Sequence, residues 1–289
     1  PTYNFTVVVD DHDMQVSHVI RGEDHISNTP KQILIYDALI WDIPEFAHLP
    51  MILGSDGKRL SKRHGAVGTQ TYRDLGYLPD TLINYLALLG WNPGTEDEVF
   101  NLQLLMDNFS LEKINKKAAV FDNKKLDWLS GQHIMKSESE ELLDSIRSIK
   151  PDWAPHGLSD EYLYSIISHL KSRSKTLLDI INQSEYFFND PVKYDQNAVA
   201  KCWGEDTPEL LKSFAEQVLA YLDWKDESIE KCINDFSEKK CVSKGQLIQP
   251  LRVSLCGSLT GPSIADLMIF LGKETCIRRM NNAQKIFNK

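Results

Sequence analysis

The 289 residues contain no apolar run approaching the roughly 20 residues needed to cross a bilayer, and no leader of the secretory kind opens them. No membrane partner is expected. Cysteine is scarce, with Cys202, Cys232, Cys241, Cys256 and Cys276 scattered singly. None forms a C-x-x-C pair and none has a histidine at zinc-finger spacing, so no structural zinc and no metal centre are expected. An odd set of lone thiols suits the reducing cytoplasm, where they act as small buried hydrophobes. Positive charge is in deficit, 32 Lys and Arg against 41 Asp and Glu, for a net charge of −9. That excludes a uniformly basic coat for nucleic acid but not a local one, because phosphate binding follows the local field. Internal repeats and low-complexity tracts are missing. The chain opens on Pro1 rather than Met, so the natural start is expected upstream.

What is present is ordinary for a globular chain: 42% hydrophobic and 25% charged residues, long enough for two or three domains. The opening alternates at Tyr3, Phe5, Val7 and Val9, turns at Asp10 to Asp13, and resumes at Val16, His18 and Ile20. This predicts two adjacent strands or a hairpin. Asn28-Thr29-Pro30 predicts a helix start, with Ile33, Tyr36, Leu39 and Ile40 as its buried stripe. A strand at His48 to Leu53 and a glycine-bearing loop follow. After Pro79 the strand signals fade into helical stripes. They are Leu82, Tyr85, Leu86 and Leu89; Leu126 and Leu129 behind Asp122 as cap; and Tyr162, Ile166 and Leu170. Leu211, Phe214, Val218 and Leu222; Ile229, Ile233 and Phe236; and Ile264, Leu267, Met268 and Leu271 before Gly272 complete them. The fold class is therefore mixed, a small α/β piece followed by an all-helical array. Trp128, Trp153, Trp203 and Trp224 are expected to fill cores.

The basic residues fall in clumps, among them Lys171, Arg173 and Lys175, and Arg278 with Arg279. Each reads on its own as a solvated helix face or turn. The densest is Lys58, Arg59, Lys62 and Arg63, between Gly57 and Gly65. Such a loop is either a flexible basic surface or one that closes on a polyphosphate, since lysine is a compact donor to spread phosphate charge and glycine lets the backbone approach.

Arg59-Leu60-Ser61-Lys62-Arg63 resembles the KMSKS motif of class I aminoacyl-tRNA synthetases in the form used by glutamyl enzymes, with Arg59 in place of the leading lysine. Tyr3-Asn4-Phe5, Val19-Ile20-Arg21-Gly22-Glu23-Asp24-His25, Asn28-Thr29-Pro30-Lys31-Gln32 and Ala47-His48-Leu49-Pro50 are similar to blocks of that family, in the same order. A looser likeness runs through Leu126-Asp127-Trp128, Pro250-Leu251-Arg252 and Leu271-Gly272-Lys273-Glu274. The resemblance implies a bacterial-type glutamyl-tRNA synthetase in four parts. These are residues 1–76 as the C-terminal half of a Rossmann-type catalytic domain, 77–136 as a helical stem-contact domain, and 137–196 and 197–289 as two anticodon-binding subdomains. It implies glutamate, ATP with Mg2+, and tRNA(Glu) as partners, in a cytoplasmic, monomeric parent enzyme.

Residue by residue, the resemblance places Tyr3 and Arg21 in a glutamate pocket, where a guanidinium fork suits a carboxylate. From the residues alone, Arg21 could instead pair with Glu23 or Asp24. Asp24, His25 and Arg59 would sit by ATP, although His25 could equally be a neutral packing histidine. Lys62 would stabilise charge on the triphosphate, and Ser61 would shape the loop. Arg173 and Arg252 would face the anticodon, since arginine pairs with base edges that unpaired loops expose; for each, a helix-surface salt bridge stands as the alternative. The departure is the missing His-Ile-Gly-His-type motif, so the chain is expected to bind tRNA without charging it unaided. A tRNA-binding module that never catalyses, and a glutaminyl relative, are the competing readings.

Overall fold

The chain opens in a helix, α1 (Tyr3–Asp13), where the period-two alternation predicts a strand. Its β-branched and aromatic residues favour extended backbone, and three aspartates sit at its C-terminal half, where the helix dipole disfavours them. Tertiary contact overrides both preferences: Val8 is fully buried, and α1 packs on α2 (Thr29–Leu39). Two side-chain contacts fix the pair, the Gln32 amide donating to Asn4 Oδ1 at 3.1 Å and His12 stacked on Trp41 at 3.8 Å. This computed structural model describes residues 2–60, 68–220 and 224–287.

After α1 the chain follows the α/β pattern. Strand β1 (His18–Gly22) leads through a 3-10 turn, Glu23–Asn28, into α2, and β2 (Glu45–Leu49) returns parallel to β1. The register runs from His18 opposite Glu45 to Gly22 opposite Leu49, placing Arg21 opposite His48. A parallel pair needs such a crossover, and a helix supplies it. The strand predicted from His48 to Leu53 is divided: β2 starts earlier and β3 (Ile52–Leu53) is separate, with Pro50, which has no N–H to donate, between them. The buried stripe of α2 also differs from expectation. Gln32 and Tyr36 face inward, while Ile40 is 94% exposed in the left-handed conformation (φ 57°) that ends the helix.

Helices α3 (Thr69–Asp74), α4 (Pro79–Gly90), α5 (Leu102–Asn108) and α6 (Asn123–Lys136) follow, with β4 (Ala119–Val120) pairing parallel to β3. Asp122 caps α6 as predicted, its carboxylate accepting the Lys124 N–H at 2.8 Å. Tyr85, Leu89, Leu126 and Leu129 form the core, with Phe121 and Tyr77 against it. Leu86 is exposed, because the inward face of α4 runs through Thr81, Asn84 and Tyr85 instead. Asn84 is fully buried; its Oδ1 accepts the Phe100 N–H at 2.9 Å and lies 2.9 Å from Nε2 of buried His133 on α6. Trp128 is 45% exposed and fills no core.

Two units emerge from the contacts, Pro1–Lys136 and Ser137–Lys289. The second is helical throughout its described residues: α7 (Ser139–Ile149), α8 (Asp160–Leu170), α9 (Leu177–Phe188), α10 (Gln196–Cys202), α11 (Thr207–Ala220), α12 (Asp226–Lys239), α13 (Lys244–Cys256), α14 (Ile264–Leu271) and α15 (Lys273–Phe287). Capping boxes start α9 (Thr176 with Asp179) and α13 (Ser243 with Gln246), satisfying orphan N–H groups at both starts. Ile166, Leu170, Leu211, Phe214, Val218, Ile229, Ile233, Phe236, Leu267 and Met268 are buried, as the stripes predict. Leu222 lies outside the described residues. Gly272 (φ 75°) makes the turn between α14 and α15. All five cysteines are free thiols, and Cys241 is exposed rather than buried. The mixed class expected from the sequence is the one the chain adopts. Among the described residues no helix is long and apolar enough to cross a membrane.

Candidate functional site

In the first unit the candidate residues gather where β1 and β2 run into the start of α2. Arg21, half-buried, donates through Nη2 to Thr29 Oγ1 at 2.7 Å and to Gln32 Oε1 at 2.8 Å. Its Nε points at His48 Nε2, 3.5 Å away, and its guanidinium lies 5.3 Å from the Phe46 ring centroid. Helical spacing puts Thr29 and Gln32 on one face, and the strand register brings His48 alongside. Burial first, then the nearby Arg21 cation, lowers the pKa of His48 from the usual histidine value, which favours the neutral ring that can accept. The alternative of a salt bridge to Glu23 or Asp24 is not realised. Glu23 accepts the Met51 N–H at 3.0 Å, and Asp24 pairs with Arg59 at 3.0 Å. Arg21 is therefore held by neutral groups, with Nη1 having no partner among the described residues. Burial pushes the Asp11 carboxyl up, and Arg21 pulls it partly back.

Tyr3 and His25 meet at 3.2 Å between Tyr3 Oη and His25 Nδ1, and Asn28 Nδ2 approaches the same nitrogen at 3.4 Å. Asn4, Gln32 and Arg21 form a chain of hydrogen bonds that leads from α1 into the cluster. Ser61 and Lys62 lie outside the described residues. Gln32, Thr29 and His48 were not singled out as site residues from sequence. All three fall within the blocks that resemble the synthetase family, and Thr29 and Gln32 stand at i, i+3 spacing.

In the second unit Arg173 ends a 3-10 turn, Lys171–Arg173, behind α8 and is exposed; Arg252 is half-buried on α13. Arg252 donates through Nη1 to the Pro262 carbonyl at 2.5 Å. Both cations act on one neighbour, Tyr186 of α9: burial pushes its phenol up, and Arg173 and Arg252 each pull it down. The Tyr186 hydroxyl is buried and has no hydrogen-bond partner among the described residues. A Cβ on Gly261 would lie 3.0 Å from Arg252 Nη1 and 3.9 Å from Tyr186 Oη, so glycine is what admits the guanidinium here. Beside this trio a cavity of about 390 Å³ is lined by Tyr186, Asn189, Asp190, Lys193, Cys256 and Gly261, among others. The basic pair Arg278–Arg279, read from sequence as solvated, divides: Arg278 is exposed and Arg279 is buried, both bonded to Asp190.

A cation waiting in a neutral cage and two arginines converging on an orphan phenol lie on sequence that matches known families. Residues 1–128 match the catalytic domain of the tRNA synthetases class I (E and Q), and residues 140–284 match an anticodon binding domain. The chain belongs to the class I tRNA synthetases. It is 40% identical to a glutamate–tRNA ligase of Moorella thermoacetica over 292 residues, and 44% identical to glutamate–tRNA ligase 1 of Syntrophus aciditrophicus over 283 residues. These alignments cover 99% and 97% of this chain but 59% of each relative, so the chain spans about three-fifths of the curated relatives it matches. Among solved structures, a glutamate tRNA ligase from Elizabethkingia meningosepticum, in complex with its amino acid, superposes with a TM-score of 0.87 at 36% identity. That match covers 99% of this chain and 60% of the other. Glutamate-tRNA synthetase from Elizabethkingia anophelis gives a TM-score of 0.82 at 34% identity.

Proposed function

We propose that this chain is the tRNA-reading and substrate-holding part of a glutamate–tRNA ligase. The observation that carries the reading is Arg21: a half-buried guanidinium, oriented by Thr29, Gln32 and His48, with Asp11 near enough to feel its charge but no carboxylate hydrogen-bonded to it among the described residues. An arginine fork hydrogen-bonded only to neutral groups keeps donors available for an incoming carboxylate. Glutamate would place a carboxylate there, with Tyr3 at the rim. Asp24, His25 and Arg59 would border ATP, and Lys62 with Ser61 would act on its phosphates. Magnesium would enter with those phosphates, as it does where hard cations bridge nucleotide oxygens. Among the described residues no group of three or more potential ligands could hold a metal ion.

In the first step the glutamate carboxylate oxygen attacks the α-phosphorus of ATP, and the bond to the leaving pyrophosphate breaks. In the second, a hydroxyl of the terminal tRNA ribose attacks the acyl carbon, and AMP leaves. Neither step needs a protein nucleophile. What the chain supplies is positioning and charge. Residues 1–76 would serve the adenylate chemistry, 77–136 the tRNA stem, and 137–196 with 197–289 the anticodon, where Arg173 and Arg252 would read base edges. The helical second unit and the glutamate-named relatives favour glutamate over glutamine as substrate.

The test is binding of labelled tRNA(Glu) to the full chain across a salt series, with anticodon-changed tRNA as the control. Binding that weakens with salt and with the anticodon change is the expected outcome. Equal binding of both tRNAs at every salt concentration would overturn the reading. In parallel, glutamate-dependent pyrophosphate exchange by this polypeptide is expected to stay at background, because it has no His-Ile-Gly-His-type motif.

A further inference from the structure

Arg279 on α15 is 2% exposed, an unusual place for a charge, and four hydrogen bonds hold it there. Nε donates to Asp190 Oδ1 at 2.9 Å, and Nη2 donates to the Asn189 carbonyl at 2.8 Å. Nη1 donates to two carbonyls, Tyr186 at 2.7 Å and Leu255 at 2.6 Å. Three of these acceptors belong to the end of α9 and the residues just after it. The fourth lies in the last turn of α13. Carbonyls at helix C-termini have no partner within the helix, so one planar cation satisfies the ends of two helices at once.

Those two helices carry Tyr186 and Arg252, and Leu255 immediately precedes the cavity-lining Cys256. A second tie joins the same region: the Asp195 N–H donates to the Gly257 carbonyl at 2.9 Å, where a Cβ on Gly257 would meet the Lys193 carbonyl at 2.7 Å. Arg279 itself does not line the cavity. A buried ion pair is a poor source of stability, since apolar side chains of similar volume hold such joints as well or better. What the fork adds is fixed distance and angle between the parts it joins.

We propose that Arg279 is a positioning residue that sets the spacing of Tyr186 on the cavity wall and Arg252 behind Gly261, and through it the selectivity for the anticodon. This rests on the anticodon reading of the second unit given above. It assigns to a side chain that touches no RNA a share of the discrimination between tRNAs.

The experiment uses the full chain with Arg279→Lys, Arg279→Met and, as reference, Arg173→Gln. Thermal melts establish that each is folded at the assay temperature. The readout is the ratio of Kd for anticodon-changed tRNA to Kd for tRNA(Glu). Arg279→Lys keeps the charge near Asp190 and loses the fork, and the ratio is expected to fall by about tenfold, comparable to losing one good base contact. Its salt slope is expected to match the wild type, because Arg279 meets no phosphate. Should Arg279→Met fail to fold, Arg279→Lys carries the test. A lowered melting temperature with the wild-type ratio would make Arg279 purely structural and overturn the proposal while the anticodon reading stands. No discrimination by the wild type itself would remove the reading, and the proposal with it.

Discussion

Replacing Asn84 by alanine perturbs the buried polar joint between α4 and the residues around it. Oδ1 of Asn84 accepts the Phe100 N–H at 2.9 Å and contacts His133 Nε2 at the same distance, with Asn84 itself wholly buried. Alanine leaves the Phe100 N–H buried without its acceptor, which costs about 1–3 kcal/mol, and removes the His133 contact for roughly another 1 kcal/mol. Together the expected loss is about 2–4 kcal/mol, a large share of a typical domain's stability. Phe100 packs with Trp91 and Leu105, so the damage should reach that cluster. The assay is urea unfolding followed by hydrogen exchange on peptides covering residues 79–136, which isolates the first unit from the second. Asn84→Asp, which restores an acceptor for Phe100 and faces His133 with a carboxylate, serves as the contrasting variant. It should make folding of this unit less sensitive to acid. An Asn84→Ala unit within 0.5 kcal/mol of wild type, by the same fit, would refute the account of this joint.

Two further outcomes follow from groups already described. Burial lowers the pKa of His133, and burial followed by the charge of Arg21 lowers that of His48, so the fold favours the neutral form of both. The unfolded chain then binds more protons between the folded and ordinary histidine pKa values. First-unit stability should be fully present above pH 7 and decline as pH falls through 6.5; denaturation midpoints that stay flat from pH 7.5 to 5.5 would contradict this. Gly261→Ala should place a methyl 3.0 Å from Arg252 Nη1 and blunt discrimination between tRNA(Glu) and anticodon-changed tRNA, with a lowered melting temperature from backbone strain at φ 157°. Unaltered discrimination would show that the Arg252 guanidinium has room to spare.

The helical half was legible because its signals are local. Stripes such as Ile229, Ile233 and Phe236 repeat at helical spacing, and the Asp122 cap of α6 is read within two residues of its partner Lys124. The helical state of α1 is hidden from a local reading because Thr6 and Val7 to Val9 favour strand, while the burial of Val8 and the packing of α1 on α2 are tertiary. Arg21 was visible through its resemblance to a family block, but its cage was only half so. Thr29 and Gln32 share a helix face, whereas His48 arrives through strand register, which no short window records. Asn84 and His133 look like polar faults in apolar stripes until Asn84 Oδ1 is seen to meet His133 Nε2 and the Phe100 N–H. Arg278 and Arg279 are adjacent and chemically alike, and only packing makes one a surface charge and the other a joint.

The β1–β2 pair has a consequence for how the protein behaves at high concentration. Parallel strands are normally buried on both faces, yet this sheet has two strands, and Ile20 in its middle and Ile26 beside it are about half exposed. Each strand has a row of outward backbone N–H and C=O groups with no third strand on them among the described residues. Rows of that kind template further strands from other molecules. Storage losses of this 289-residue polypeptide by aggregation should therefore begin in the first unit, and Ile20→Lys is where its solubility could be raised without altering the second unit.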